Sequence, residues 1–273
     1  MGFRPLRGRS THPTSAMTNS PRIELIGVPD FPLVQPGDDL AALIAAALER
    51  AGLRPVTGDI LAVAQKIVSK AEDRFVDLAT MQPSARARAI GEEIQKDPRL
   101  VEVILGESTR VVRQRPGLLI VEHRLGYVMA NAGVDHSNVS APDGRERVLL
   151  LPRDPDASAE ALRAKLSERF GCDLAVIVND SFGRAWRRGT VGVALGVAGL
   201  PAALDLRGNP DLFGQTLQTT IVGFADEIAA AASLVMGQAA EGVPVVLVRG
   251  FAWTAPASAG HSLVRPPEED LFR

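Results

Sequence analysis

The chain has 273 residues, of which 46% are hydrophobic, and its formal net charge at pH 7 is −2. This length is enough to bury a large core in one domain or in two smaller ones. The near-neutral charge excludes the strongly basic surface typical of proteins that bind nucleic acids or anionic membranes. No apolar run reaches the roughly 18–20 residues that span a bilayer. A single cysteine, Cys172, excludes an internal disulfide framework, so we expect a cytoplasmic protein.

Residues 1–21 form an N-terminal extension that we predict to be disordered. The segment is rich in arginine but lacks the apolar core of a secretory signal, and it offers little to bury. Two other interpretations are translation that begins at Met17 and an organellar transit peptide.

The first half of the chain alternates between strand and helix patterns. After a short strand, an amphipathic segment predicts a helix that begins at Asp38 or Asp39 and ends at Gly52. A buried strand then runs into the polar segment "AQKIVSKAE". Two helices follow, the first stopped by Pro98, and after them two strands joined by a Pro-Gly turn.

The second half continues with a strand at "RVLLLP", a helix at "DASAEALRAKLSERFG" and a buried strand at "DLAVIVND". The segment "VGVALGVAGL" fits either a strand or a close-packed helix. A helix that ends near Gly237 and the strand "VPVVLVRG" complete the pattern. Strands and helices are intermixed, so the predicted class is α/β or mixed α+β, with residues 80–115 as an excursion from the main sheet.

Several common active-site motifs are absent. The sequence contains no P-loop, no dinucleotide-binding G-x-G-x-x-G after the first strand, no G-x-S-x-G and no H-E-x-x-H. The four histidines are scattered along the chain, which disfavours a zinc site made of histidine and cysteine. The remaining candidates are oxygen ligands.

Two polar loops after apolar runs carry these oxygen ligands. Asp135 follows the first run, and Asp180 and Ser181 end the second. Carboxylates with a hydroxyl select hard cations such as Mg²⁺ or Mn²⁺, which proteins often hold together with substrate phosphates. The nearby Arg184 can neutralise phosphate charge as it develops. The alternative is that both aspartates simply cap turns, and the pattern leaves both interpretations open.

Lysine is rare in this chain, yet two of its four lysines, Lys66 and Lys70, lie in one short stretch. A lysine ammonium is a compact point charge suited to phosphate, so the pair is a candidate phosphate site. The alternative interpretation is that both lysines lie on an exposed strand edge. Near the last predicted helix, the amide oxygen of Gln238 suits a metal better than the helix end suits an anion, because the dipole there is negative. An ordinary glycine-stopped helix is the alternative.

The segments "VPDFPLVQPGDDL", "AQKIVSKAE", "GYVMANAGVDHSNV" and "NDSFGRAWRRG" together resemble the coenzyme F-420-0:L-glutamate ligase family. The resemblance runs from about residue 23 to residue 251. It implies the family's own fold, with mixed sheets and flanking helices, in a domain at 22–255 followed by a tail at 256–273. It also implies an intertwined homodimer.

The resemblance implies a GTP-dependent ligase. The γ-phosphate of GTP would convert a carboxylate of the F-420 precursor into an acyl phosphate, and the amine of L-glutamate would then displace phosphate. It further implies Mg²⁺ or Mn²⁺ as the metal cofactor. Two such ions per site are compatible with the resemblance, and so is K⁺. A carboxylate is a poor electrophile until it is phosphorylated, and phosphoryl transfer needs a cation to offset charge.

Residue by residue, the resemblance implies three overlapping sets. The metal ligands are Asp135, Asp180, Ser181 and Gln238. The GTP-binding residues are Val28, Pro29, Asp30, Phe31, Gln65, Lys66, Lys70, Asn138, Met236, Gly237, Gln238 and Val243. The catalytic set is Asp135, Asp180 and Arg184.

The sequence departs from the family pattern at three places. Thr190-Val191-Gly192 stands where the family has Gln, Thr and a polar residue, Gln65 replaces a frequent Ser, and Ser181 replaces a common Thr. The first departure leaves room for a different carboxylate acceptor, and hence for another metal-dependent ligase or phosphotransferase. A nucleotide-binding subunit without catalytic activity is the third interpretation.

Overall fold

The computed structural model describes residues 22–136, 139 and 144–271. The predicted N-terminal extension at 1–21 and the predicted GTP ligand Asn138 lie outside the described residues. In chain order the strands are β1 (Glu24–Gly27), β2 (Ile60–Ala64), β3 (Phe75–Asp77), β4 (Ser108–Arg115), β5 (Leu118–His123), β6 (Val128–Ala130), β7 (Arg147–Leu149), β8 (Ala175–Gly183), β9 (Thr190–Ala198), β10 (Leu204–Asp205), β11 (Ile221–Val222) and β12 (Val245–Arg249). The helices are α1 (Leu40–Arg50), α2 (Gln65–Ala71), α3 (Ala85–Ile94), α4 (Pro98–Gly106), α5 (Pro155–Phe170) and α6 (Phe224–Met236).

A five-stranded mixed sheet forms the centre, in the order β1-β12-β2-β8-β9. Only β2 and β8 run parallel within it; the other neighbours are antiparallel. Alternate side chains of each strand point to opposite faces. On β2, Leu61 and Val63 join the apolar cluster that includes α1 and α5, whereas Ile60 and Ala62 join the cluster with α6. The result is a three-layer arrangement with helices on both faces, which confirms the predicted mixed α/β class.

Local chemistry fixes the ends of the main helices. Asp39 caps α1 by accepting a hydrogen bond from the backbone N–H of Ala42, and Asp154 caps α5 in the same way through Ala157. Gly171 ends α5 in the left-handed conformation. Both predicted helices are present, and the predicted cap Asp39 and stop Gly171 are confirmed, but α5 begins at Pro155, before the predicted Asp156, and α1 ends at Arg50, before the predicted Gly52.

Residues 85–130 leave the central sheet. They form α3, α4 and a separate antiparallel sheet in the order β4-β5-β6. Its apolar cluster includes Ile94, Ile104 and Val121. The sequence predicted two strands here, whereas the structure has three, because β6 pairs with β5 after a short turn.

Pro98 does not stop α3, contrary to the prediction. Gln95, in the left-handed conformation, caps the end of that helix, and Pro98 instead begins α4, where its missing N–H costs nothing.

Two further sequence predictions were wrong in ways that concern the site. The polar segment after β2 is the helix α2, because Gln and Lys are good helix formers and Ile67 and Val68 give it a buried face. The strand β8 continues through Gly183 in a hairpin with β9, so Asp180 and Ser181 lie on a strand and not in a loop. The segment "VGVALGVAGL", left open between strand and helix, lies mostly in β9.

Within the described part of the chain, no helix is both long and apolar enough to cross a membrane.

Candidate functional site

A cleft of about 680 Å³ opens beside the carboxyl ends of the parallel strands β2 and β8. Open α/β sheets commonly bind ligands at this edge. One wall is the start of α2, a second is the segment at 236–244 after α6, and a third carries Phe75, Asp135 and Arg147. The cleft therefore collects residues from widely separated parts of the chain.

Lys66 and Asp135 form an ion pair across this cleft. The Nζ atom of Lys66 lies 2.6 Å from Oδ2 of Asp135, and about a quarter of each side chain is exposed. Asp135 is held by an isolated antiparallel bridge to Leu149, in which each backbone N–H donates to the other residue's carbonyl at 2.9 Å. The backbone of Asp135 is thus fixed by β-type pairing, which a turn-capping aspartate does not require.

Asp180 lies on the floor of the cleft. Burial raises the pKa of its carboxyl group to about 7, and the charge of Asp135 acts in the same direction. The backbone N–H of Ser181, Lys66 and the side chain of Gln65 oppose this rise. A buried carboxylate beside a second one is costly unless a cation offsets their charge. This arrangement fits a divalent metal.

Gln65 is buried and orients its amide toward Asp180. The hydroxyl of Ser69 donates to Oε1 of Gln65 at 2.9 Å, which leaves the NH₂ group of Gln65 to donate to the carboxyl of Asp180. The amide of Gln65 therefore contacts the carboxyl group of Asp180 through a direct hydrogen bond.

Asn179 presents a buried oxygen on the other face of β8. Its Nδ2 donates to the sulfur of Met236 at 3.2 Å, while Oδ1 has no hydrogen-bond partner among the described residues. Buried polar atoms are rarely left unpaired in proteins. Ser181, next but one along the strand, also lines the cleft, as does Gln238.

The neutral oxygens of Ser181 and Gln238, with the carboxylates of Asp135 and Asp180, form the donor set that magnesium and manganese prefer. Within residues 22–136, 139 and 144–271, no cluster of three histidine, cysteine or acidic side chains is present that would hold a metal without such neutral ligands. These residues fit a hard divalent cation that is completed by oxygen atoms of a substrate.

The segment after α6 is shaped by Gly237 and Glu241. Gly237 adopts φ 72° and ψ −178°, a conformation open essentially to glycine alone, and a Cβ atom there would overlap the side chain of Glu241. The carboxylate of Glu241 accepts a hydrogen bond from the backbone N–H of Ala239 at 2.8 Å. The predicted ligand-binding segment is therefore a compact turn whose residues, Met236 through Val243, line the cleft.

Lys70 lies at the other end of α2. Burial, together with the neighbouring charge of Lys66, lowers the pKa of its ammonium, and Asp135 opposes this effect. An anion bound beside Lys70 would favour the charged form. Lys66 and Lys70 both line the cleft, so α2 presents two cations to it.

The structure does not bring every predicted residue to the cleft. Val28 is fully buried in the core, and Pro29 and Asp30 do not line the cleft, whereas Phe31 does. Arg184 lies on the exposed tip of the β8–β9 hairpin, where it donates to the carbonyl of Arg188 at 3.3 Å.

The departure at 190–192 also lies outside the cleft lining. Those residues pair with 181–183 on β8, and Gly192 packs against the backbone of α6.

Several cleft residues were not predicted from the sequence, and Phe75 and Arg147 are two of them. Phe75 and Arg147 line the wall next to Asp135, on the paired strands β3 and β7. No spacing in the sequence connects them, because 71 residues separate them and only the fold makes them neighbours.

These features define a mixed α/β protein with a polar binding cleft at the carboxyl edge of its central sheet. Residues 30–250 match the family described as F420-0:Gamma-glutamyl ligase. The chain belongs to this family, and the family prediction made from the sequence motifs is confirmed.

Three relatives are similar to this chain over nearly their whole length. The coenzyme F420:L-glutamate ligase of Methanothermobacter thermautotrophicus is 51% identical over 253 residues, which cover 92% of this chain and 99% of the relative. The enzyme of that name from Methanopyrus kandleri is 46% identical over 262 residues, covering 94% and 100%. That from Archaeoglobus fulgidus is 41% identical over 252 residues, covering 92% and 97%.

Proposed function

We propose that this protein joins L-glutamate to coenzyme F420-0 through an amide bond, driven by GTP and a divalent metal. The family and the names of its relatives support the ligase reaction. The observation that carries the GTP and metal dependence is the Lys66–Asp135 ion pair beside the half-buried carboxyl of Asp180. Two lysines and two carboxylates in one cleft suit a metal-bound phosphate chain.

The reaction proceeds in two balanced steps. A carboxylate oxygen of the acceptor attacks the γ-phosphorus of GTP, forming an acyl phosphate and releasing GDP. The amine nitrogen of L-glutamate then attacks the acyl carbon, and inorganic phosphate leaves while the amine loses a proton. A divalent cation held by Asp135, Asp180, Ser181 and Gln238 would offset the charge that develops on the phosphate oxygens.

The chain's own residues have distinct roles in this scheme. Lys66 and Lys70 attract and orient the phosphates as point charges. Gln65 holds Asp180 in place through its amide. Residues 236–243 contact the nucleotide with backbone groups that the turn at Gly237 exposes.

We also propose that the protein acts as a homodimer in the cytoplasm. Leu212 and Phe213, in the connection between β10 and β11, are 99% and 87% exposed, and Trp186, between β8 and β9, is 85% exposed. A contiguous exposed apolar patch marks an interaction site, and the adjacent residues Leu212 and Phe213 are the candidates for one here. The single cysteine is consistent with a reducing compartment.

A ligation assay followed by mass spectrometry tests the function. The protein is mixed with F420-0, L-glutamate, GTP and Mn²⁺, with parallel reactions that lack metal or contain ATP. We expect a product heavier by one or more glutamyl units that requires both GTP and metal. GTP consumption without that product would indicate a different carboxylate acceptor, and GTP binding without turnover would indicate a nucleotide-binding subunit.

A further inference from the structure

One wall of the cleft is a two-stranded ladder that contributes a half-buried aromatic ring and a half-buried guanidinium group to the lining. In this ladder Phe75 of β3 lies opposite Leu149 of β7, and Asp77 lies opposite Arg147. The alternate residues Val76 and Val148 pack into a buried apolar cluster. Because side chains alternate along a strand, Phe75 and Arg147 share the opposite face, and both line the cleft.

Asp135 extends the same row. It pairs with Leu149 through two backbone hydrogen bonds of 2.9 Å, so Phe75, Leu149 and Asp135 lie side by side across three chain segments. Neighbouring strands are about 5 Å apart, and a diagonal neighbour lies within reach of an aromatic or long side chain. Arg147 is the diagonal neighbour of Phe75 on this ladder, and Asp77 lies directly opposite it.

The helix α2 runs from the segment at 236–244 toward this wall. The helix begins beside that segment, where the N–H of Ala64 donates to the carbonyl of Pro244, and it ends at Ala71, four residues before Phe75. Its seven residues span about 10 Å. Lys66 stands in the first turn and Lys70 in the last, so the cleft has a 236–244 end and a Phe75 end, with the Lys66–Asp135 pair along its length.

We propose that Phe75 and Arg147 form the acceptor subsite, in which Arg147 binds the acceptor's carboxylate and Phe75 supports the apolar or planar part next to it. The proposal rests on the ligase function proposed above. Amide formation with glutamate requires an acceptor carboxylate, and the guanidinium fork matches a carboxylate with two parallel hydrogen bonds while stacking on an aromatic ring. With the nucleotide at the 236–244 end, the acceptor carboxylate at Arg147 faces the γ-phosphate near Asp135.

Steady-state kinetics of Arg147→Gln test this assignment. The expected result is a KM for F420-0 that rises about 10- to 100-fold, as the loss of a charged hydrogen-bond pair predicts. KM for GTP, KM for L-glutamate and the Kd of GTP should stay within about twofold of the unmodified protein. Arg147→Lys should restore part of the loss, because lysine keeps the charge but not the fork. Phe75→Leu should raise KM for F420-0 by a smaller factor.

Arg145→Gln is the matched control. Arg145 lies two residues before Arg147, is exposed, and stands 3.9 Å from Asp77 without lining the cleft. This variant should match the unmodified protein in every constant. Melting temperatures and circular dichroism spectra of all variants establish that they are folded.

Other outcomes overturn the proposal. A weaker Kd for GTP in Arg147→Gln would assign the guanidinium to a nucleotide phosphate, and a selective rise in KM for L-glutamate would assign it to the incoming amino acid. Unchanged constants would remove Arg147 from substrate binding altogether. Calorimetric titration of F420-0 into the unmodified protein and the variants separates this test from the ligase function. If F420-0 binds and this binding depends on Arg147, but no glutamylated product forms, the ligase function alone is refuted. If F420-0 does not bind, the subsite is refuted.

Discussion

The Nζ atom of Lys66 lies 2.6 Å from Oδ2 of Asp135, and this ion pair joins two separately built walls of the cleft. Lys66 belongs to the helix that follows β2, whereas Asp135 is fixed to β7 by a single antiparallel bridge. The ammonium offsets the charge of Asp135 beside the half-buried Asp180. A divalent cation bound at the same carboxylates would compete with it.

Lys66→Met is therefore expected to bind Mn²⁺ more tightly and to turn over GTP more slowly. Removing the competing cation should lower the Kd for Mn²⁺ about 5- to 10-fold, an effect of about 1 kcal/mol for a partly exposed pair. Turnover should fall about 100-fold or more, because a positive group on the phosphates is lost. Calorimetry without nucleotide and a GDP-release assay measure the two quantities.

The control for this variant is Lys165→Met, which removes an exposed pair with Asp39 outside the lining of the cleft. Both constants should remain unchanged there. Weaker Mn²⁺ binding in Lys66→Met would mean that the lysine organises Asp135 instead of competing for it.

Asp180→Asn should stabilise the protein in the absence of metal. Burial and the charge of Asp135 disfavour the carboxylate, so a neutral amide of the same shape is expected to raise the free energy of unfolding at pH 8 by about 2 kcal/mol. The same change removes a metal ligand, so the rise in melting temperature that Mn²⁺ causes should disappear. Thermal denaturation with and without Mn²⁺ measures both effects.

Asp73→Asn is the matched control, since Asp73 is exposed and has a left-handed backbone that asparagine tolerates well. It should keep the full response to Mn²⁺. A metal response that persists in Asp180→Asn would exclude Asp180 from the metal site.

The carboxyl group of Glu107 should make the free energy of unfolding depend on pH in the acid range. Burial alone would raise the pKa of its carboxyl group, but the imidazole of His123 and the charges of Arg124 and Arg74 outweigh it and lower the pKa to about 2. A lowered pKa means that the stabilisation is present above about pH 4.5 and is lost as the pH falls toward 2. Glu107→Gln should thus lower the free energy of unfolding at pH 7 by about 2–3 kcal/mol.

Urea denaturation between pH 7 and pH 2.5 checks this expectation. The difference between the variant and the unmodified protein should shrink below pH 4.5. The exposed Glu168→Gln provides the comparison and should show no such trend. A constant difference at all pH values would show that packing, and not charge, accounts for the effect.

The sequence predicted the metal candidates because Asp135, Asp180 and Ser181 belong to recognisable motifs at the ends of apolar runs. It misplaced Asp180 in a loop, since polar residues after a buried strand are typical of turns and the pairing partner on β9 was not evident.

Phe75 and Arg147 could not be predicted, because their proximity depends on long-range pairing between β3 and β7. Arg184 illustrates the opposite limit. It lies close to Asp180 in the chain, but the hairpin carries it to an exposed tip.

Leu212→Ser combined with Phe213→Ser should weaken the proposed homodimer. These side chains are 99% and 87% exposed, and burying such a side chain contributes about 1.5–3 kcal/mol. We expect a dimer dissociation constant at least about 100-fold weaker, measured by sedimentation velocity over a range of concentrations. Val56→Ser, at a half-exposed position on a different loop, should have no effect. A monomeric unmodified protein would contradict the dimer itself.

Gly192→Ala should destabilise the fold because β9 packs directly against α6. A Cβ atom at this position would overlap the carbonyl oxygen of Ala229 and press on Oδ1 of Asn179. Overpacking of this kind costs about 1–3 kcal/mol, since backbone cannot rotate away as a flexible side chain can. Chemical denaturation measures the loss.

Gly183→Ala on the paired strand is the matched control for this close contact. Its Cβ atom would meet nothing within 4 Å, and its backbone is not left-handed, so its stability should change by less than about 0.5 kcal/mol. Because α6 leads into Gly237 and Gln238, Gly192→Ala should also weaken Mn²⁺ binding, whereas Gly183→Ala should not. Equal stability of the two variants would mean that α6 can move away from β9, and that this helix does not hold the 236–243 segment rigidly against the cleft.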